Sequence, residues 1–554
     1  MIITALIWIY IIITSYVCGV AVLSLLGQEQ EGMSSHISTC ILAGVGVIIV
    51  YSQIISLVTK VGLTANIILV LATVVFSICF KNEIMSGLRS VRIWTDWKKA
   101  LATIILFLLF AYGTSHGYMH YDSDLYHAQS IHWIEEYGVV TGLGNIHSRL
   151  AYNSSAFCFT ALFSMSFLLG QSYHVCAGFL CFMVSILCMD LFKKGEILKP
   201  SISNFVRVVA IYYLLMIFDE MVSPASDYFM VLLLIVVVLG YADLFERKVK
   251  DAFPYAILSL MALVVLTVKI SGALIVLIAV YPLYLLIKDK DIHSIVKYIV
   301  AGIITVVPFI GRNIVLSGYL VYPVTAVDIF NVPYKIPVGM AEYDAREIQV
   351  YGRGYTDVLR FEEPLTKWLP DWISSLGKVD KAAFVLSVLA IAALVAMIIY
   401  YLIKKAYEVL PGLYLLLVVS ASFTFWLLTS PNLRYGCIYL YLTPALVFGW
   451  IYSRLVTRAE NGVFFRIVLS LFFFYKAIAF IQETASLATD EYLLRQQDYG
   501  VYETVPYTVN QNTFFRPAEG DQTGYYDFPS TVTEGEFTMI SDNISDGFLP
   551  KSVD

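Results

Sequence analysis

Fifteen apolar segments recur along this 554-residue chain, and most have about the length that crosses a lipid bilayer. A helix needs about 20 mostly apolar residues to span the hydrocarbon core. Hydrophobic residues make up 59% of the chain and charged residues only 14%, whereas soluble domains carry about 25% charge. The sequence therefore predicts an all-α polytopic membrane protein that has the lipid bilayer as its surroundings. The candidate segments are residues 2–26, 37–58, 63–80, 100–115, 151–170, 174–192, 204–218, 227–245, 253–268, 271–287, 294–311, 382–403, 410–428, 436–453 and 463–481.

Charge and cysteine content exclude several other classes of protein. A net charge of −6 over this length provides no basic surface for nucleic acid. The eight cysteines lie within or beside apolar segments, and no CxxC or Cys/His spacing is present, so neither a disulfide framework nor a zinc site is predicted. The pair His116 and His120 has a metal-like spacing but no clear third ligand. No cofactor is therefore predicted, and a divalent metal remains an open alternative.

Lysine and arginine in short connections predict which face is cytoplasmic. These connections all fall on one side only if the segment 151–170 does not cross the bilayer, and such a segment is tolerated where protein covers it or where it lines a cavity. The prediction is then about fourteen transmembrane helices with both termini outside. The basic connections are 81–99, 193–207, 246–250, 288–297, 404–405 and 454–466.

The same topology gathers the polar motifs on the external face. Two long external loops are predicted, at 115–173 and 312–381, and they contain amphipathic helices. The polar tail 482–554 has alternating stretches such as "YGVYETVPYTVNQNTFFRP", which indicate short strands. We therefore expect a small external C-terminal module of α/β or β structure. Charges on one face favour an external reaction chamber over a transporter, which more often has charged residues at mid-membrane.

The motif "MHYDSDLYHAQSIHWIEEYG", residues 119–138, combines acidic residues and histidines directly after a predicted span. Asp124 and His127 are three positions apart and would be neighbours on one helix face. Asp122 or Asp124 is a candidate general base, because burial at a membrane boundary can raise a carboxyl pKa, or a candidate electrostatic partner for a cation. The alternative is that Asp122 only caps the helix. His127 is a candidate substrate contact, as are Arg149 and Asn153 in the following "GLGNIHSRLAYNSS".

Three isolated cations are predicted on the external face, against the positive-inside trend: Lys269, Arg312 and Arg434. Arginine binds phosphate through two parallel hydrogen bonds. We therefore expect these cations, with the neighbouring Asn313, to hold a lipid phosphate or diphosphate. The alternative is that each pairs with an acidic residue of "DEMVSPASDY", residues 219–228. In that stretch Asp227 either caps a helix or takes part in chemistry.

These features resemble the GT-C superfamily of membrane glycosyltransferases, which use polyprenyl-linked sugar donors. The resemblance rests on external acidic residues in the first large loop, amphipathic helices and a segment that does not cross. The stretches "YDSDLYHAQSIHWIEEYGVVTGLGNIHSRLAYNSS", "RNIVLSGYLVYP", "GDQTGYYDFPST" and "ISDGF" also resemble an uncharacterised group of bacterial membrane proteins from surface-polysaccharide gene clusters. The resemblance implies three parts: accessory transmembrane helices 1–80, a GT-C-like core 81–481 and the tail 482–554.

Carried over to this chain, the resemblance implies that Asp122, or alternatively Asp124, acts as base towards the acceptor hydroxyl. Arg312, Arg434 and Lys269 would bind the donor phosphate. The expected protein is a glycosyltransferase or glycan polymerase in the bacterial inner membrane, with its active face periplasmic or external. It would use a polyprenyl-linked sugar donor and a glycan acceptor in surface-polysaccharide synthesis. The alternatives are a flippase of lipid-linked glycans and a non-catalytic envelope scaffold.

Overall fold

A computed structural model describes residues 1–27, 37–89, 97–192, 200–456 and 463–551. The described chain is mostly helical, with two small antiparallel sheets near its C-terminus. The α-helices are α1 (Ile2–Leu26), α2 (Ile37–Val58), α3 (Leu63–Cys79), α4 (Lys81–Arg89), α5 (Trp97–Ser115), α6 (Ala128–Glu136), α7 (Ser155–Phe163), α8 (Ser166–Leu169), α9 (Cys176–Cys188), α10 (Ile202–Met216), α11 (Ser226–Glu246), α12 (Ala252–Val268), α13 (Val280–Lys288), α14 (Ile292–Ser317), α15 (Val338–Gly352), α16 (Leu365–Ser375), α17 (Lys378–Ile403), α18 (Leu410–Thr429), α19 (Leu433–Leu455) and α20 (Val463–Ser486).

Ten helices of the described chain are long and apolar enough to cross a membrane, and an eleventh is obtained if α3 and α4, bent by 83°, count as one span. Several of them leave broad apolar surfaces uncovered. Only 28% of an 18-residue apolar stretch of α17 is buried, and Val385, Leu389 and Ile399 of this helix are exposed. Exposed apolar surface of this extent is a liability in water. The helices therefore confirm a multi-pass membrane protein.

The predicted count of fourteen transmembrane helices is not confirmed by these lengths. The difference from ten comes from α3, α9, α10 and α12, which have 17, 13, 15 and 17 residues. At 1.5 Å per residue such helices are shorter than a hydrocarbon core of about 30 Å. The segment 151–170, which we expected not to cross, contains only the two short helices α7 and α8, separated by Met165 at a positive φ of 55°.

The centre of the bundle is α11, the most deeply buried of the ten long helices. Its middle is a continuous run of Val, Leu and Ile, so it is apolar on every side and has no preferred outward face. The helices α9, α10, α12 and α18 pack around it. The N-terminal end of α11 is therefore a buried platform at one end of the bundle.

One basic connection differs from its prediction. Arg207, expected in the connection 193–207, lies inside α10 and is 5% exposed. Its Nη2 donates to Asp243 of α11 at 2.7 Å, and its Nη1 donates to Asn204 at 3.1 Å. A partly buried carboxylate partner explains why this arginine is inside a helix. The predicted connecting residues Arg92, Lys193, Lys194, Lys199 and Arg458 lie outside the described residues.

The second long loop is shorter than predicted. It was expected from residue 312, but α14 continues to Ser317 and ends at Gly318, whose φ of 80° favours glycine. Arg312 and Asn313 are therefore helical. The loop does contain the expected short helices, α15 and α16.

The C-terminal tail folds into the expected small module, with β structure. The strands β1 (Thr504–Val509) and β2 (Asn512–Pro517) form one hairpin, and β3 (Phe537–Met539) pairs with β4 (Phe548–Pro550). The buried rings of Phe514, Phe537 and Phe548 pack together between the two sheets. We call residues 496–551 the tail module.

Both ends of the described chain meet at one end of the bundle. The N–H of Ile2 donates to the carbonyl of Leu493 at 2.9 Å, and the N–H of Gln497 donates to Ser115, the last residue of α5, at 2.7 Å. The start of α1, the end of α5 and the tail module therefore share one face of the protein. The topology prediction likewise placed all three on one face.

Candidate functional site

Four charged side chains from distant parts of the chain meet at this end of the bundle: Asp122, Asp227, Lys269 and Arg434. Arg434 donates from Nη2 to Oδ2 of Asp122 at 2.5 Å, and its Nε lies 3.3 Å from Oδ2 of Asp227. Lys269 donates from Nζ to Oδ1 of Asp227. The four side chains form a row of alternating charge, which we call the charge cluster.

The members of the charge cluster are positioned by helix ends. Asp227 lies in the first turn of α11, Lys269 directly follows α12, and Arg434 is the second residue of α19. Asp122 lies in the turn between α5 and a π-helical turn, Ser123–His127. A carboxylate is stabilised near the start of a helix, whereas an arginine is not. Arg434 therefore depends on the two aspartates for charge compensation.

Arg434 lies in the first turn of α19. This turn is separated from the rest of the helix by a break at Gly436, where the backbone is not helical and ψ is 24°. A Cβ atom at Gly436 would lie 2.5 Å from the Trp426 ring. The Trp426 indole donates to the carbonyl of Asn432 at 3.0 Å, and the Asn432 side chain accepts from the N–H of Arg434 at 3.0 Å. Because Gly436 has no side chain, the Trp426 ring can pack against it and hydrogen-bond to Asn432, which in turn positions Arg434.

The charge cluster is largely buried, yet three of its members remain partly accessible. The exposed fractions are 17% for Asp122, 18% for Arg434 and 23% for Lys269, against 2% for Asp227. Two positive and two negative groups balance formally, which makes such burial tolerable. The Nε of Arg434 is buried and forms no hydrogen bond, because its approach to Asp227 is poorly aligned. One strong donor of the cluster is therefore unused.

Two histidines border the charge cluster. His120 accepts at Nδ1 from Nη1 of Arg434 at 2.6 Å and from the N–H of Asp122 at 3.1 Å. Burial, together with the charge of Arg434, lowers the pKa of His120 to about 4. His127 is 1% exposed and packs against Phe157, its Nδ1 has no hydrogen-bond partner, and burial lowers its pKa to about 3. Both rings are therefore neutral at neutral pH.

Asp122 departs from the expected pKa. Burial alone raises the pKa of its carboxyl group, but the charge and hydrogen bond of Arg434 outweigh burial and leave the pKa at about 2. The prediction of a raised value is therefore wrong for this residue, whereas the alternative, an electrostatic partner for a cation, agrees with its contact with Arg434. Asp122 does occupy the position of a helix cap, but its side chain makes no capping hydrogen bond. Its carboxylate belongs to the charge cluster.

Asp124 faces a different part of the protein. Its carboxylate accepts from the N–H of Gly500 and the hydroxyl of Tyr502, both at 3.0 Å, and its carbonyl accepts from the N–H of Gly524 at 2.9 Å. Burial raises the pKa of Asp124 despite these bonds. Asp124 and His127, expected on one helix face, lie in the same π-helical turn, where Asp124 contacts Gly500 and His127 packs against Phe157. Asp124 attaches the tail module.

The remaining predicted residues lie outside the charge cluster. Arg312 donates from Nε to the side chain of Asn153 at 3.1 Å and from Nη1 to Ser56 at 2.6 Å. Arg149 lies 3.6 Å from Glu347 of α15. Asn313 donates to the carbonyl of Phe309 one turn earlier in α14, at 3.1 Å. The structure therefore separates the predicted cations into Arg434 and Lys269 in the cluster, and Arg312 elsewhere.

Sequence reasoning missed two neighbours of the charge cluster. His120 was considered only for its spacing from His116, and nothing in the sequence pairs it with Arg434. Tyr435 contributes the face of its ring, 4.0 Å from Nζ of Lys269 and 5.2 Å from the Arg434 guanidinium carbon. Its position beside Arg434 in "SPNLRYG" was the available signal. A search of the described residues for three or more His, Cys, Asp or Glu side chains that could hold a metal ion finds none.

Comparison with known proteins gives one match, which is to a family model. Searches of curated proteins and of solved structures find no match. The family model covers residues 1–441, about four fifths of the chain, and so includes every member of the charge cluster. The chain therefore belongs to the family described as Domain of unknown function (DUF8201).

Proposed function

We propose that this protein is a GT-C-like membrane glycosyltransferase, or a glycan polymerase of the same chemistry. Its donor would be a sugar or glycan carried on a polyprenyl phosphate or diphosphate. Its product would be a surface polysaccharide of capsular or O-antigen type. The observation that carries the proposal is the convergence of two cations and two carboxylates from four helix ends on one partly accessible cluster.

The cations of the charge cluster fit an anionic leaving group. Arg434 has an unused Nε donor, and Lys269 is the most accessible of the four side chains. A phosphate arriving at the cluster would compete with Asp122 and Asp227 for these two cations, because charge-assisted hydrogen bonds to phosphate are strong. Before the donor binds, the two aspartates therefore balance the charge of Arg434 and Lys269 and hold these cations in position.

This exchange of partners would also prepare the base. Asp122 is a weak base while Arg434 holds its pKa at about 2. Once phosphate neutralises Arg434, burial is the dominant influence and raises the pKa of Asp122, which improves proton abstraction. Asp122 would thus become an effective base only while a donor is bound.

In the proposed reaction the acceptor hydroxyl attacks the anomeric carbon of the donor. A new carbon–oxygen bond forms, the bond from that carbon to the phosphate oxygen breaks, and Asp122 takes the hydroxyl proton. The electron pair of the broken bond goes to the phosphate, where Arg434 and Lys269 stabilise the charge. Preorganised stabilisation of developing charge is usually the largest single contribution to catalysis.

We also propose that fourteen segments cross the membrane, with α9, α10 and α12 among them and α7 and α8 as the segment that does not cross. This arrangement places the charge cluster and the tail module on the external face of a bacterial inner membrane. Lipid-linked donors displayed on that face would reach Asp122 and Lys269 from the bilayer edge. Glycan acceptors would approach from the aqueous side.

The test compares polysaccharide in a deletion strain complemented with wild type, Asp122→Asn or Arg434→Lys, at matched membrane levels. Arg434→Lys keeps the charge but removes the planar fork. The matched control is Asp521→Asn, since Asp521 accepts from Tyr121 on the exposed surface outside the cluster. We expect both cluster variants to lose polymer and to accumulate lipid-linked precursor on the external face, while the control makes wild-type polymer.

Two other outcomes would overturn the proposal. Precursor that accumulates on the internal face would show that the protein moves lipid-linked glycan across the membrane. Wild-type polymer from both cluster variants would show that the charge cluster only supports the fold, as in an envelope scaffold. The side of accumulation is read from the access of an impermeant sugar-oxidising reagent in intact cells.

A further inference from the structure

Arg312 is a buried cation without a counter-charge. Its side chain is 3% exposed, and its two hydrogen-bond acceptors, the Ser56 hydroxyl and the Asn153 amide oxygen, are neutral. In the parts of the chain that the structure describes, no carboxylate forms an ion pair with it. An unpaired buried charge is strongly destabilising. The position of Arg312 therefore calls for an anion.

Two further donors without acceptors line the same cavity as Arg312. Trp133 is fully buried and its indole N–H has no partner among the described residues; the same holds for the hydroxyl of Ser130, a residue that is 8% exposed. An indole N–H can only donate. Buried donors almost always have acceptors. Two unsatisfied donors beside a buried cation thus point to a ligand that accepts hydrogen bonds and carries negative charge.

The dimensions of the cavity limit that ligand. The cavity lies between α6, α7 and α14 and has room for about one water-sized sphere. A phosphate ester or a sugar does not fit such a space. A water molecule would satisfy the donors but would leave the charge of Arg312 uncompensated. A monatomic anion satisfies both requirements.

We propose that this cavity binds a monatomic inorganic anion of the chloride type, held by Arg312, Trp133 and Ser130. The anion links two helices, since Trp133 and Ser130 are on α6 and Arg312 is on α14, while Phe157 of α7 also lines the cavity. Its role is to stabilise this arrangement, in which the π-helical turn leads directly into α6. The site is separate from the charge cluster and takes no part in the proposed transfer reaction.

The first test is thermal unfolding of the purified full chain in sodium chloride and in sodium gluconate at equal ionic strength. A ligand of the folded state stabilises in proportion to the logarithm of its concentration above its dissociation constant. We expect the melting temperature to rise with chloride or bromide but not with phosphate. Arg312→Gln should lose this dependence. Arg149→Gln, whose arginine pairs with Glu347 instead, should keep it.

The second test is direct and needs no variant. Crystals of the wild-type protein grown in bromide should show an anomalous difference peak within hydrogen-bond distance of the Arg312 guanidinium and of the Trp133 indole. A peak at this position supports the proposal even if Arg312→Gln fails to fold. A melting temperature that does not respond to chloride, or a water molecule at the site in place of bromide, would overturn it.

Discussion

Arg434 and Asp122 are 312 positions apart in the chain, yet a guanidinium nitrogen of the first lies 2.5 Å from a carboxylate oxygen of the second. Both side chains are mostly buried, with 18% and 17% exposed. The pair joins the turn after α5 to the start of α19. It therefore links the acidic motif of the first loop to a helix that the chain forms 300 residues later.

Removing one partner should cost more than removing both. We expect Arg434→Gln to destabilise the fold by about 3 kcal/mol, because Asp122 loses its counter-charge and Asp227 keeps only Lys269. The double variant Arg434→Gln/Asp122→Asn should recover part of that loss. A double-mutant cycle on unfolding of the detergent-solubilised protein measures the coupling. Strictly additive losses would contradict a direct interaction between the two side chains.

His127 should make the fold sensitive to acid. Its folded pKa of about 3 lies below its ordinary value of 6.5, so the unfolded chain binds more protons between these values. Stability is then fully present above pH 6.5 and is lost as the pH falls towards 3, by about 1.4 kcal/mol per unit. His127→Phe, which retains a ring beside Phe157, should flatten this slope in unfolding measured from pH 7 to 4. The control is the exposed His293→Phe; equal slopes in all three proteins would contradict the prediction.

Asp124 should control attachment of the tail module rather than chemistry. Asp124→Ala leaves the partly buried N–H of Gly500 and hydroxyl of Tyr502 without their acceptor, at a cost of about 1 kcal/mol for each group. We expect faster cleavage of the tail module in limited proteolysis, while the transmembrane part stays intact. The control is Asp546→Ala, which removes an exposed acceptor of Ser541 within the tail module and should leave the cleavage rate unchanged.

Much of the fold could be predicted because a bilayer imposes its own length and polarity on a helix. Membrane helices, short helices in the loops and strands in the tail all follow from local patterns. The discrepancies have local causes. The apolar stretches around α9, α10 and α12 do not form helices of full spanning length. Arg207 was predicted in a loop because its ion pair with Asp243 cannot be seen in the sequence.

The four members of the charge cluster are among ten predicted site residues, and of its contacts only the alternative that cations pair with Asp227 was predicted. Asp122, Asp227, Lys269 and Arg434 stand out because charges are rare at the ends of apolar helices. Nothing in the sequence indicates which cation faces which carboxylate, since those contacts join segments far apart in the chain. For the same reason Asp124 and Asp122 look equivalent in "YDSD", although one contacts the tail module and the other Arg434.

Cysteine labelling should report the orientation of the bundle. Val501 and Lys405 are both exposed, and the proposed topology places them on opposite faces. In a chain with the exposed Cys79 replaced by serine, an impermeant maleimide should label Val501→Cys in intact cells. Lys405→Cys should react only after the cells are opened. Labelling of both in intact cells, or of Lys405→Cys alone, would contradict the external position of the charge cluster.

Gly436 should be essential for aiming Arg434, which gives a test that leaves every charge in place. Gly436→Ala puts a methyl group 2.5 Å from Trp426, a fully packed ring that holds Asn432 and so the first turn of α19. Overpacking of this kind costs about 1–3 kcal/mol. We expect a lower melting temperature, together with loss of polysaccharide beyond what the reduced membrane level explains.

The matched control for Gly436→Ala is Gly311→Ala, in the interior of α14. A Cβ atom there would meet only Leu57, at an ordinary contact distance of 3.6 Å. Alanine is favoured over glycine inside a helix by about 1 kcal/mol, so this variant should be as stable as wild type or more stable. If Gly436→Ala behaved like Gly311→Ala, the break in α19 would not position Arg434. The charge cluster would then be held by its ion pairs alone.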